Sequence, residues 1–205
     1  MVDRLERRRQ LRELEDTALK DGRIPPGQSL TVKWPLLHYG SIPEIDPNKW
    51  QLRLWGLVDE PKTLTWNHFQ MLPSTENTSD IHCVTHWTKL DNHWRGVPAR
   101  HVLSEVHLLP NARFVLVHAP GYTANLPLEA LLDNDVLFAT EHDGEKLSIE
   151  HGGPVRLVVP KRYFWKSVKW VHGLEFLAED RPGFWETRGY HNQGDPWTEE
   201  RFDDL

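Results

Sequence analysis

His151-Gly152-Gly153-Pro154-Val155-Arg156-Leu157-Val158-Val159-Pro160, followed shortly by Tyr163-Phe164-Trp165-Lys166-Ser167-Val168-Lys169-Trp170, is the stretch on which the fold of this 205-residue chain turns. Two adjacent glycines let backbone approach a ligand more closely than any Cβ would allow. Pro154 to Val159 is an apolar strand from which Arg156 projects a bidentate anion fork, and Val168 to Val171 reads as a further strand. Lys166 and Lys169 add point charges, so the whole stretch is a phosphate-gripping corner. It stands in an acidic chain, whose 24 Lys+Arg against 30 Asp+Glu leave a net charge of −6. That balance gives nucleic acid no general electrostatic support as a partner, and basic residues that matter must act locally.

Outward from this corner the chain reads as short strands mixed with short helices. Trp50, Leu52 and Leu54 alternate with Gln51 and Arg53 as a half-buried strand, ended by Gly56 and turned at Asp59-Glu60-Pro61. Thr65 caps a helix from Trp66 to Leu72, which Pro73 stops. Ile81 to Val84, Phe114 to Val117 and Val136 to Thr140 are strands, and Asp143-Gly144 is a hairpin turn. Pro98 to Leu109 and Pro127 to Leu132 are helices with proline in the first turn. No regular βαβ alternation appears, so the fold class is α+β, with mixed β-sheets and short helices.

Residues 1–23 form a separate N-terminal charged helix over 3–20. There Leu11, Leu14 and Ala18 share a face, Asp16 pairs with Lys20, and Gly22 is the stop. Residues 24–205 form one domain, ending in a tail from Asp180 that is rich in Gly, Pro, Trp and charge. Arg7-Arg8-Arg9 lead into Gln10-Leu11-Arg12 instead of the apolar stretch of a twin-arginine signal, and no run of about eighteen apolar residues occurs. No membrane insertion and a cytoplasmic location are expected.

The single cysteine, Cys83, lies in Ile81-His82-Cys83-Val84-Thr85-His86-Trp87. As a His-Cys-x-x-His cluster it offers zinc or iron ligand types, but no second short-spaced pair completes four ligands. On a strand, His82 and Cys83 also point to opposite faces. A buried structural thiol is the other reading that the residues allow.

The pieces, taken in order, resemble the molybdenum-cofactor domain of the sulfite oxidase family, especially its small bacterial members and the related methionine-sulfoxide reductase catalytic subunit. The likeness runs through Pro35 to Gly40, Asp80 to Val84, Trp94-Arg95-Gly96-Val97-Pro98, Gly121 to Leu128 and His151 to Trp170, and so covers roughly residues 24 to 190. It implies a Mo-molybdopterin cofactor, expected in its plain form without added nucleotide. Cys83 matches the family's metal-binding cysteine, whose thiolate is a soft ligand suited to molybdenum. His151 and Arg156 match the cofactor-binding run, and Phe164, Trp165 and Lys166 its next contact loop. His38, Tyr39 and His118 match further cofactor contacts, and Tyr122 matches the tyrosine lining the sulfite oxidase pocket. Tyr122 and His86 are the candidates for substrate orientation or proton delivery.

Where sulfite oxidases follow the cysteine with paired arginines, this chain has Thr85, His86, Trp87, Thr88 and Lys89. A dianion is expected to bind poorly unless Lys89, Arg95 or a protonated histidine substitutes. The resemblance therefore implies two-electron oxo transfer on a small substrate of sulfoxide, N-oxide or oxyanion type, with a separate electron-transfer partner. Two rivals stand beside it. Cys83 could be a nucleophile activated by His86, His118 or His151, or the fold could be a cofactor-free binding module whose ten tryptophans form a partner face.

Overall fold

Residues 4–203 are described by the structure, a computed structural model, and they build two sheets joined by short helices. In chain order the first half contains α1 (Arg4–Lys20), β1 (Ser29–Leu30), β2 (Gln51–Gly56), β3 (Lys62–Thr65), α2 (Trp66–Met71), β4 (Thr75–Cys83), β5 (Trp87–Pro98) and α3 (Ala99–Leu103). The second half contains β6 (Phe114–Ala119), β7 (Tyr122–Pro127), α4 (Leu128–Leu131), β8 (Leu137–His142), β9 (Glu145–Lys146), β10 (Arg156–Val158) and β11 (Gly173–Leu177). One sheet runs β1-β5-β8-β10, with β4 added on β5 and β9 on β8; the other runs β3-β2-β11-β6-β7. The fold is α+β with mixed sheets, since β1 lies parallel to β5 and β11 parallel to β2 among otherwise antiparallel pairs.

Period-two patterning sets the core. Leu52 and Leu54 of β2 are fully buried while Gln51 and Arg53 face water. They meet Val115 and Val117 of β6, Leu174 and Phe176 of β11, and Phe138 and Leu157 from the other sheet in one apolar cluster. Each such fully buried aliphatic or aromatic side chain contributes roughly 1.5–3 kcal/mol. The same alternation turns Leu157 toward this core and leaves Arg156 and Val158 on the opposite face of β10, which is where the functional corner begins. Gly96 belongs to the irregularity where β5 crosses β8; a Cβ there would strike the Phe138 carbonyl.

Thr65 caps α2, its hydroxyl accepting from the His68 amide at 3.3 Å, and Asp143 and Gly144 both adopt positive φ in the β8–β9 turn, as a tight hairpin requires. Several boundaries differ from the sequence reading. The helix expected over 98–109 stops at Leu103, because the chain turns to bond the 57–59 loop through Asp59 N to His107 O and Leu109 N to Leu57 O. The strand expected over 168–171 does not form: Trp170 takes φ 54°, and the amides of Trp170 and Val171 bond Gly152 and Val155 individually. The last strand is Gly173–Leu177 instead, and Tyr122–Pro127 is a strand as well as a motif.

In α1, Ala18 is buried but Leu14 is exposed, so only the C-terminal end of the helix docks, helped by Glu15 accepting from the Leu30 amide at 2.7 Å. Its i,i+4 ion pair is Arg9–Glu13 rather than Asp16–Lys20, and Asp3, the first residue of the expected helix, lies outside the described residues. No helix among the described residues is long and apolar enough to cross a membrane.

Candidate active site

Cys83, the last residue of β4, lines a cavity of about 270 Å³. Strand alternation puts Ile81 and Cys83 on one face and His82 on the other, where its Nδ1 lies 3.0 Å from the Thr88 hydroxyl. Burial pulls the His82 pKa down to about 4. His86 sits in the tight turn after β4 with φ 68°, exposed, its Nδ1 2.8 Å from the Gly27 carbonyl oxygen. The His-Cys-x-x-His cluster therefore does not converge. Among the described residues, no group of three or more His, Cys, Asp or Glu is placed to hold a metal ion. The Cys83 sulfur has one polar partner, the Thr85 hydroxyl at 3.2 Å. Burial pushes the thiol up, and the Thr85 hydrogen bond opposes this.

The second wall comes from β10 and the loop after it. Arg156 is 1% exposed, and its guanidinium donates to the His151 and Ser167 carbonyls, each at 2.8 Å. Its remaining Nε has no partner, and no carboxylate among the described residues pairs with it. The side chain is packed against Phe164 at 4.2 Å and Trp34 at 5.3 Å from the ring centroids. Burial alone pulls its pKa down to about 9. Lys169, pulled down to about 8 by burial and then by Arg156, donates to the carbonyls of Leu37 and Glu150, both at 2.7 Å. Gly152, at φ 106°, lets these two chains approach, since a Cβ there would lie 3.0 Å from Lys169 Cβ and 3.1 Å from Arg156 Cβ.

His38, Tyr39, Cys83, Tyr122, Arg156, Phe164 and Trp165 all reach the cavity wall. His151 does not; it stands behind Trp34, their rings stacked at 4.0 Å, with its buried Nδ1 unpartnered. Lys166 is fully buried away from the cavity, bonded to Glu186 Oε1 at 2.6 Å and to the main-chain and side-chain oxygens of Asn125 at 2.9 Å. His118 lies on the other sheet, 3.0 Å from Glu175 and against Trp55. His86 also stays off the wall.

Trp34, Trp87, Trp170, Trp185 and Tyr190 line the cavity and were not singled out from sequence. The compositional excess was their signal, since with Trp165 five of the ten tryptophans surround this one space. Trp185 and Tyr190 come from the aperiodic tail. Burial, and then the Cys83 sulfur, push the Tyr190 phenol up. The tail is pinned by Glu186, which accepts from Trp165 Nε1 at 2.9 Å as well as from Lys166, and by Arg201, which donates to the Val84 carbonyl at 2.8 Å.

The oxidoreductase molybdopterin binding domain matches residues 39–185. The uncharacterized oxidoreductase YuiH of Bacillus subtilis strain 168 is 46% identical over 185 residues, 89% of this chain and 93% of that protein. The putative protein-methionine-sulfoxide reductase subunit YedZ1 of Azospira oryzae is 27% identical over 82% of this chain and 65% of its own length. Among solved structures, the sulfane dehydrogenase SoxCD of Paracoccus pantotrophus superposes with a TM-score of 0.64 at 26% identity, over 69% of this chain and 41% of the other. The lone thiol, the unpaired arginine and the aromatic walls thus lie within a matched domain, and the chain belongs to the oxidoreductase molybdopterin binding domain family, of sulfite oxidase type, as an enzyme of that family.

Proposed function

We propose that this enzyme performs two-electron oxo transfer on a small neutral substrate, a sulfoxide or an N-oxide, using a plain Mo-molybdopterin. The observation that carries the reading is Arg156: a guanidinium buried without a carboxylate, its Nε unpartnered, on the wall of a cavity that also presents the lone thiol. A cation left so costs free energy unless an anion completes it. The residues present therefore fit an anionic, sulfur-ligated metal group. Arg156 would hold its phosphate side with Lys169 beside it, Cys83 would supply a thiolate to the molybdenum, and His38, Tyr39, Phe164 and Trp165 would pack its faces. When bound, the cofactor supplies the oxo-transfer and two-electron chemistry. The chain's own residues orient the substrate, shield it from water with aromatic walls and hold Cys83 in place.

The neutral substrate follows from where the cations go. Lys89 bonds Asn92 at 2.7 Å and Arg95 pairs with Glu141 at 3.6 Å, and neither lines the cavity. Two of the substitutes that an oxyanion would need are thus engaged elsewhere, and the histidine that does reach the wall, His38, has its Nδ1 2.9 Å from the Gly40 carbonyl oxygen. A nucleophilic Cys83 has no support either, since none of His86, His118 and His151 bonds its sulfur and Thr85 is not a base. Against a binding module, half of the tryptophans face the cavity instead of presenting a partner surface. Electrons would come from a separate protein or small carrier, and the cytoplasm, which keeps a lone thiol reduced, is the compartment assigned.

Molybdenum and phosphorus analysis of protein made with an intact cofactor pathway tests this. Wild type should carry one phosphorus per molybdenum, and Cys83→Ala should lose metal. Wild type carrying neither element overturns the reading.

A further inference from the structure

The cavity has three tyrosines on its wall; Tyr39 is 62% exposed at the mouth, and the two more enclosed ones, Tyr122 and Tyr190, differ in what their hydroxyls are free to do. Tyr122 donates its one phenolic proton to the Trp165 carbonyl at 2.8 Å. A substrate oxygen could take that proton only by leaving a carbonyl unsatisfied, which costs about 1–3 kcal/mol. Tyr190 packs against the cluster that contains Cys83 and Trp165, and its hydroxyl makes no hydrogen bond to any described residue. Its ring is held on three sides, by Trp185 stacked at 4.9 Å, Trp165 edge-on at 5.1 Å and Phe202 at 5.1 Å. The backbone is fixed as well, by the bridge to Phe202 and the bond from Tyr190 N to Trp185 O at 3.1 Å.

Of the other polar groups of this wall, Trp87 Nε1 and Arg156 Nε are buried without a partner, but neither is a phenol, and several of the rest are occupied. Thr85 bonds the Cys83 sulfur, Lys169 is taken by two carbonyls, and His38 Nδ1 lies 2.9 Å from the Gly40 carbonyl oxygen. A rigid ring with an uncommitted proton, in an apolar cavity beside the metal-binding end, is a preorganised donor.

We propose that Tyr190, and not Tyr122, is the catalytic phenol of this site, donating a neutral hydrogen bond to the oxygen of the bound sulfoxide or N-oxide. The inference rests on the proposed function. Tyr122 is then a positioning residue, which holds the Trp165 main chain and so the wall on which Tyr190 leans.

The test compares Tyr190→Phe and Tyr122→Phe in molybdenum-loaded enzyme, with metal content and melting temperature measured on the same samples. Both substitutions keep the ring, so the aromatic wall keeps its packing. One readout is binding of dimethyl sulfone, a non-reacting oxo ligand, followed by fluorescence of the cavity tryptophans; the other is kcat/KM for dimethyl sulfoxide. Loss of one hydrogen bond should weaken sulfone binding about threefold to tenfold in Tyr190→Phe and lower kcat/KM at least as much. Tyr122→Phe, which frees the Trp165 carbonyl but removes no donor to the substrate, should weaken sulfone binding less than Tyr190→Phe does. Unchanged binding and kcat/KM in folded, loaded Tyr190→Phe overturn the assignment, as do equal losses in the two variants. Wild type without molybdenum would sink the functional reading instead, so the two failures are distinguishable.

Discussion

Lys166 and Arg156 are two buried cations ten residues apart, and their surroundings are opposite. Lys166 is closed: Glu186 supplies a carboxylate and Asn125 two oxygens, with nothing left to bond. Arg156 is open: two carbonyls take part of its fork, no acid answers its charge, and the cavity lies against it. Burial lowers both pKa values, but for Lys166 Glu186 opposes the shift, whereas for Arg156 nothing does. The difference separates a cation whose charge is answered within the fold from one whose charge is not, the property on which the proposed cofactor role rests. The sequence-level resemblance placed both on the cofactor.

The sharpest way to break the contrast is to open the closed cation. Glu186→Leu would leave Lys166 buried and unpaired and release Trp165 Nε1, and it should cost about 3–5 kcal/mol in chemical unfolding. A loss below about 1 kcal/mol would mean that the pair is not the lock described.

His82 supplies a third fate for a buried base, which is to shed its proton. Its pKa falls from 6.5 to about 4 on folding, so between those values the unfolded chain binds the extra proton. Stability should be complete above pH 6.5 and decline as pH falls toward 4, by on the order of 2–3 kcal/mol. His82→Gln should flatten that part of the pH–stability curve, and an unchanged slope would contradict the assignment.

Gly152→Ala forces a side chain into positive φ and against Lys169 and Arg156. It should cost about 1–3 kcal/mol, read in the same unfolding assay, and loosen the open cation's corner. The smallest stability effect belongs to the open cation itself. Arg156→Met removes an uncompensated buried charge together with two hydrogen bonds, so cofactor-free protein should change by less than about 1 kcal/mol in either direction.

Much of the frame was legible because it rests on local rules. Leu52 and Leu54 follow from alternation, Thr65 from cap chemistry, and Asp143-Gly144 from the needs of a two-residue turn. The order of motifs around Cys83 and Arg156 pointed to the family. What stayed hidden depends on partners distant in sequence. β11 pairs with residues 53–56 on one side and 114–118 on the other, and its own five residues announce neither neighbour. Lys166 could not be told from Arg156 without Glu186, which arrives from a tail with no periodicity, and Tyr190 rides on the same tail. His118 sits at a strand end as expected, yet its ring points to Glu175 on the sheet away from the cavity.

Molybdenum per chain in wild type and Arg156→Met, purified side by side from cells with an intact cofactor pathway, tests the contrast most directly. If Arg156 is the open cation that the cofactor's phosphate completes, wild type should be close to fully loaded and the folded variant should hold at least about tenfold less. Equal molybdenum in both proteins would contradict it.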